Sequence, residues 1–156
     1  MSERTYTSRR ANILKALAEK LKDIDGSGAF LTDLQNNVEP RLKFWDEVVE
    51  FPAIHLNAGA ETRQYQGGGF KDRFLAITIR CYVQDEEDAT EGLNLLMEDI
   101  ETVLEENSRL EYSDAQNNTF NTQQITIVSI NTDEGVLEPL AVGEIDIEVR
   151  LSLIHI

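Results

Sequence analysis

Two rhythms of apolar residues run along this chain, one with a period near 3.6 and one with a period of two. The helical rhythm comes first. In "TSRRANILKALAEKLKDI", Leu14, Leu17, Ala18, Leu21 and Ile24 share a face, and Thr7 or Ser8 stands where an N-cap belongs. The "DGSG" of residues 25–28 ends that helix. Residues 29–52 show no clear period and are interrupted by Pro40 and Pro52. A strand is expected from about Ala53 up to three consecutive glycines, Gly67–Gly69. "KDRFLAITIRCYV" then alternates, with Leu75, Ile77, Ile79, Cys81 and Val83 on one face and Thr78, Arg80 and Tyr82 on the other. That is the pattern of a half-buried strand.

"DEEDATEGLNLLMEDIETVLEEN" carries the clearest helix. Ala89, Leu93, Leu96, Met97, Ile100, Val103 and Leu104 form a continuous apolar stripe behind an acidic start, which suits the helix dipole. "SRLEYSDAQNNTFNTQQ" is polar and reads as a loop. "ITIVSIN" reads as a short strand, and "GEIDIEVRLSLIHI" as a long one with Ile145, Ile147, Val149, Leu151 and Leu153 inward. The order is helix, irregular segment, hairpin, helix, loop, two strands. It predicts one α+β domain over residues 1–156, a mainly antiparallel sheet with two main helices packed on one face.

In this frame the glycines lie between two strands. A phosphate cradle needs a strand, a Gly-rich turn and then a helix, and neither GxxxxGK[ST] nor GxGxxG occurs. The alternative is a long hairpin tip beside an aromatic and two cations, which suits an arm that docks on a partner. Its candidate docking residues are Arg63, Gly67, Gly68, Gly69, Phe70, Lys71 and Arg73.

Charge narrows the choice of partner. Lys plus Arg is 14 and Asp plus Glu is 29, a formal net charge of −15. Gripping DNA or an anionic membrane rests on cations, so neither is expected. No apolar run approaches the ~20 residues that cross a bilayer, and "MSERTYTSRR" has no apolar h-region behind it. The single cysteine, Cys81, has no internal partner and points inward by alternation, which fits synthesis in a reducing cytoplasm.

No residues here make a catalytic or cofactor site. "DIDGSGAFLTDL" puts Asp23, Asp25, Ser27 and Gly28 at the first, third, fifth and sixth positions of a calcium loop. Its twelfth position is Leu34 where a bidentate Glu belongs, so a helix end and turn competes with a weak calcium site. His55 and His155 fall in expected strands with no metal spacing. Trp45, in "KFWDEV", suits either the core or an interface.

The phrases "NNVEPRLKFWDEVVEFPAIHL", a Gly-containing hairpin, "FLAITIRCYV", an acidic amphipathic helix and "ITIVSINTDEGVLEPLAVGEIDIEVRLSL", in that order, resemble the tail terminator (tail completion) proteins of tailed bacteriophages. The resemblance runs from about Ile13 to Leu153 and rests on element order plus "FPAI", "TDEG" and the last alternating strand. It implies a non-enzymatic virion subunit, made in the host bacterial cytoplasm and built into the head-proximal end of the tail. Such subunits form a hexameric ring that caps the tail tube, stops its growth and offers a surface to the head–tail connector protein.

DNA would pass through that ring without specific binding. Six copies would carry a charge of about −90, and a negative lumen lets phosphates slide. Asp85, Glu86, Glu87, Asp88, Asp133 and Glu134 are the candidate lumen acids. Alternatives are another head–tail connector or baseplate ring subunit, or a small calcium- or ligand-binding domain.

Overall fold

The computed structural model describes residues 8–28, 30–34, 37–40, 50–151 and 154–155, with positions 66, 154 and 155 described by backbone alone. Trp45 and Leu153 lie outside the described residues.

Helix α1 spans Arg9–Leu21 and begins at Ser8, whose hydroxyl accepts the Ala11 N–H at 3.1 Å. An orphan donor of the first turn is thereby satisfied, as expected of a serine N-cap. Ile13, Leu14, Leu17, Ala18 and Leu21 are buried, so the apolar stripe faces the core. Helix α2 spans Ala89–Glu106 with Asp88 as N-cap, its carboxylate accepting from Glu91 N at 3.1 Å. Every residue of the expected α2 stripe is buried, and so is Asp99.

The main sheet comprises β1 (Val38–Glu39), β2 (Ala53–Gln66), β3 (Phe70–Gln84), β6 (Gln124–Thr132), β7 (Leu140–Arg150) and β8 (Ile154–His155). Its order is β1-β2-β3-β7-β6, with β8 paired to the start of β3. All pairings are antiparallel except β1 with β2, which is parallel and short, Val38↔Ile54 and Glu39↔His55. Both helices pack on one face. Leu75, Ile77, Ile79, Cys81, Ile145, Ile147 and Val149 project from the sheet into a core shared with Leu17, Leu96 and Ile100. α2 can lie close to the sheet because Gly143 has no side chain. A Cβ there would stand 3.1 Å from both Leu93 Cδ1 and Met97 Sδ.

Two irregularities keep side chains on their proper faces. At β6 the register shifts between Ile127 and Ser129. Val128 is the extra residue, and without it Ile130 would lie on the wrong side. At β2 the shift falls between Ala58 and Glu61. The segment 106–123, expected as a loop, instead contains a small separate hairpin, β4 (Glu111–Ser113) and β5 (Thr119–Asn121). Its polar sequence hides one aromatic pair, the buried Tyr112 and the half-buried Phe120, with ring centroids 5.8 Å apart. Thr122 closes its base by donating to Ser108 O at 2.7 Å and accepting from Leu110 N at 2.8 Å.

The second sheet face is not uniformly solvated. Tyr82 lies on that side as alternation predicts, yet it is buried with His55, their rings 5.0 Å apart.

Candidate functional site

Three surfaces stand out, two at the ends of the strands and one on a face of the sheet. The first is the β2–β3 hairpin. Its pairing runs from Ala53↔Tyr82 to Gln66↔Phe70, and Gly67–Gly69 close it as a short turn kinked at Gly68. Gly68 and Gly69 have φ of 78° and 83°, a region that L side chains enter only under strain. The glycines therefore build a tight, fully paired tip, where the sequence suggested a long loose one. β7 ends at Arg150, opposite Phe74, so β3 residues 70–73 and the turn reach past it by roughly 13 Å, and the short β8 takes its place beside Phe70 and Lys71.

The overhang divides the predicted docking residues. Phe70 is 41% exposed, Arg63 is exposed and Lys71 is half-buried. Arg73, expected as a docking cation on the arm, is only 7% exposed, beside the equally buried Asp72. Asp72 accepts two contacts from the Arg150 guanidinium at 3.1 and 3.2 Å, and Leu151 N donates to Arg73 O at 2.9 Å. This clamp fastens the hairpin base, so Arg73 belongs to the fold's interior in the isolated chain. Tyr65 is the most exposed aromatic of the arm, at 69%; the sequence reading passed over it. Arg63 donates to Glu61 at 2.9 Å, and Arg9 of α1 donates to the same carboxylate at 2.6 Å. Burial raises the Glu61 pKa, but the two guanidiniums outweigh it and leave the carboxyl below its ordinary value.

The second surface is the opposite end of the sheet. Here the structure unites the two acidic turns that the sequence only suggested as a pair. Asp85 N donates to Pro139 O at 3.0 Å, and Thr90 Oγ1 donates to Glu138 Oε1 at 3.1 Å. Asp85, Glu86, Glu87 and Asp88 are all exposed, as is Glu134. Asp133 is half-buried and structural, since its carboxylate accepts from Leu137 N at 3.1 Å. Glu134 at φ 56° and Gly135 at φ 83° make the sharp "TDEG" turn. Val136, 81% exposed, and Leu137, 48% exposed, sit among these acids.

The third surface was missed. Glu144, Asp146 and Glu148 alternate along β7 on the face away from the helices. Asp146 accepts from Thr78 Oγ1 and Ser129 Oγ, each at 3.1 Å. The signal was present in "EIDIEV", whose inward isoleucines place the acids outward. Taken along the chain, residues 1–80 hold 12 cations and 11 acids, whereas residues 81–149 hold 18 acids and one cation, Arg109. The acidity therefore belongs mostly to α2, β7, the β4–β5 hairpin and the turns at 85–88 and 133–138.

The calcium reading finds no geometry. Asp25 accepts from Ser27 N at 3.0 Å and Ser27 Oγ at 2.5 Å, bonds that hold its carboxyl below the ordinary value. The loop's next amides, of Leu31 and Thr32, donate to Asp99 of α2, and Leu34 plugs the core. Among the described residues no three His, Cys, Asp or Glu side chains are grouped to hold a metal. Cys81 is fully buried and its thiol is pushed up to about 12 by desolvation.

With this geometry in view, the chain can be set beside known proteins. Residues 7–154 match the family described as Bacteriophage Tail Tube Terminator Protein. The tail tube terminator protein p142 of Escherichia phage T5 is 34% identical over 148 residues, covering 90% of this chain and 92% of that protein. Among solved structures, a chain of the virion of the native gene transfer agent particle superposes with a TM-score of 0.60. That match has 10% identity and covers 92% of this chain and 96% of the other, so it speaks for the fold alone.

Proposed function

Because the chain belongs to the bacteriophage tail tube terminator proteins, structural components of the virion tail and not enzymes, we propose that it assembles as a hexameric ring on the end of the tail tube, where it stops tube polymerisation and presents the surface that joins the head. The observation that carries this reading is the near end-to-end match to the phage T5 terminator. In this reading one face of the ring meets the last tube ring, and the other lacks whatever recruits a further one.

The charge split supports a use for the acidity. Glu144, Asp146 and Glu148 form a carboxylate row on a sheet face free of the helices. The row would form a wall of the DNA path, with Asp85, Glu86, Glu87, Asp88 and Glu134 at its rim and Asp133 shaping the turn behind them. Such a surface repels phosphates, so that DNA slides and does not stick. The overhanging hairpin, with Arg63, Phe70 and Lys71 around Gly67, Gly68 and Gly69, is the arm that docks on a neighbouring protein.

Electron microscopy of particles made by the parent phage without this gene tests the reading. Overlong tails without heads are expected. Tails of normal length that fail to join heads would assign the protein to the head–tail connector, and normal virions would overturn the proposal.

A further inference from the structure

The sheet has two open edges that complement each other. On one side, β6 has no strand partner along its outer edge among the described residues. Its sequence, "QITIVSINT", has nine residues with no charge and no proline, and Val128 (63%) and Ile130 (39%) are exposed. Edge strands are ordinarily blunted by charges or proline, and here only the bulge at Val128 does so. Beside the first half of β6 lies a groove of about 360 Å³, walled by Leu104 of α2 and by Ile125 and Ile127, with Glu105 on its rim.

On the other side, β2 pairs outward only at Ile54 and His55 among the described residues. From Asn57 onward that edge carries no further strand among the described residues, although the Arg10 guanidinium donates to Gly59 O. The hairpin end of this edge, residues 62–71, has two cations, Arg63 and Lys71, with Arg63 bonded to Glu61 just before it.

We propose that the outer edge of β6 receives β2 of a second copy of this chain, through residues 62–66. The inference rests on the ring reading above and names the contact that would build the ring. Three features of the chain carry it. Strand direction alternates from β2 through β3 and β7 to β6, so a copy continuing the sheet brings its β2 antiparallel to β6. Side-chain phase agrees as well. Glu61 stands opposite the core residue Leu75, which puts Arg63 and Tyr65 on the helix side of the sheet. The groove lies on that same side, beneath α2. Charge and polarity also match: Arg63, held by Glu61 of its own chain yet half exposed, meets the rim acid Glu105, and the exposed Tyr65 ring covers the partly buried Ile125 and Ile127. Because one copy's β2 meets the other's β6, the contact is heterologous and generates a ring when its rotation closes. Main-chain bonds supply the adhesion and the groove supplies selectivity.

The test uses the protein within its phage. Tyr65→Cys and Glu105→Cys are introduced together and singly, tails are purified and mildly oxidised, and the chains are run without reductant. The double variant should lose its monomer band to a ladder of multimers, while each single variant stays monomeric; Cys81 is buried and contributes nothing. A monomer band alone in regular tails that contain the protein overturns the contact and leaves the terminator reading standing. Absence of the protein from purified tails overturns both. If either cysteine prevents folding, the charge exchange replaces it. Arg63→Glu and Glu105→Arg should each lower tail yield, and the pair together should restore it. Failure of the pair to restore yield overturns the contact.

Discussion

Asp99 offers the most direct check on how this fold is held. It sits on α2 at 1% exposure within an otherwise apolar face. Its carboxylate accepts from Leu31 N at 2.9 and 3.0 Å, from Thr32 N at 2.7 Å and from Thr32 Oγ1 at 2.6 Å. These bonds tie the turn after α1 to the middle of α2, and Leu34 enters the core just beyond them. Asp99→Ala removes the acceptor from three donors at once. A hydrogen bond to a charged group contributes about 1.5–3 kcal/mol, but Leu31 is 57% exposed and water can reach its amide. We therefore expect a net loss of about 3 kcal/mol, read as a lower urea midpoint at constant m-value. The same loss corresponds to a fall in Tm of roughly 6–12 °C for a chain of this size. Thr32→Val removes one donor only and should cost about 1 kcal/mol. A change under about 0.5 kcal/mol for Asp99→Ala, the range of ordinary surface substitutions, would refute the staple.

Other parts of the structure give equally definite expectations. Gly143→Val forces branched atoms into Leu93 and Met97 and should destabilise by about 1–3 kcal/mol in a thermal melt; an unchanged Tm would mean α2 sits farther from the sheet. Cys81 should resist a thiol reagent at pH 8 in the folded protein and react with one equivalent in denaturant, and rapid native labelling would contradict its burial. The folded Glu61 carboxyl titrates below its ordinary 4.5, so its contribution is present above that pH and is lost as pH falls through the folded value. Melting curves from pH 6 to pH 3 should accordingly show a shallower acid limb for Glu61→Gln, and parallel limbs would remove the Arg9–Glu61–Arg63 cluster from the account.

The amphipathic elements were legible because their signal is local. Strict alternation from Leu75 to Val83 and the stripe from Ala89 to Leu104 identify β3 and α2 from neighbouring residues alone, and the structure buries those positions. Ser8 and the β2–β3 hairpin were legible for the same reason, since a cap and a turn are short-range chemistry. The β4–β5 hairpin was hidden because three-residue strands carry too few apolar positions to show a period. Asp99 was hidden differently. An acid between Met97 and Ile100 reads as a break in a stripe until a distant loop supplies its donors.

Sequence alone thus determined the α+β class, the two main helices, the long strands and an overall charge of −15, because periodicity and composition do not depend on what meets what. Tertiary pairing decided the rest. It gathered the 85–88 and 133–138 turns at one end, drew Asp72 and Arg73 inside against Arg150 and Leu151 and left β6 at an open edge. Each of those outcomes depends on contacts between residues far apart in the chain, and no window along the sequence contains both partners.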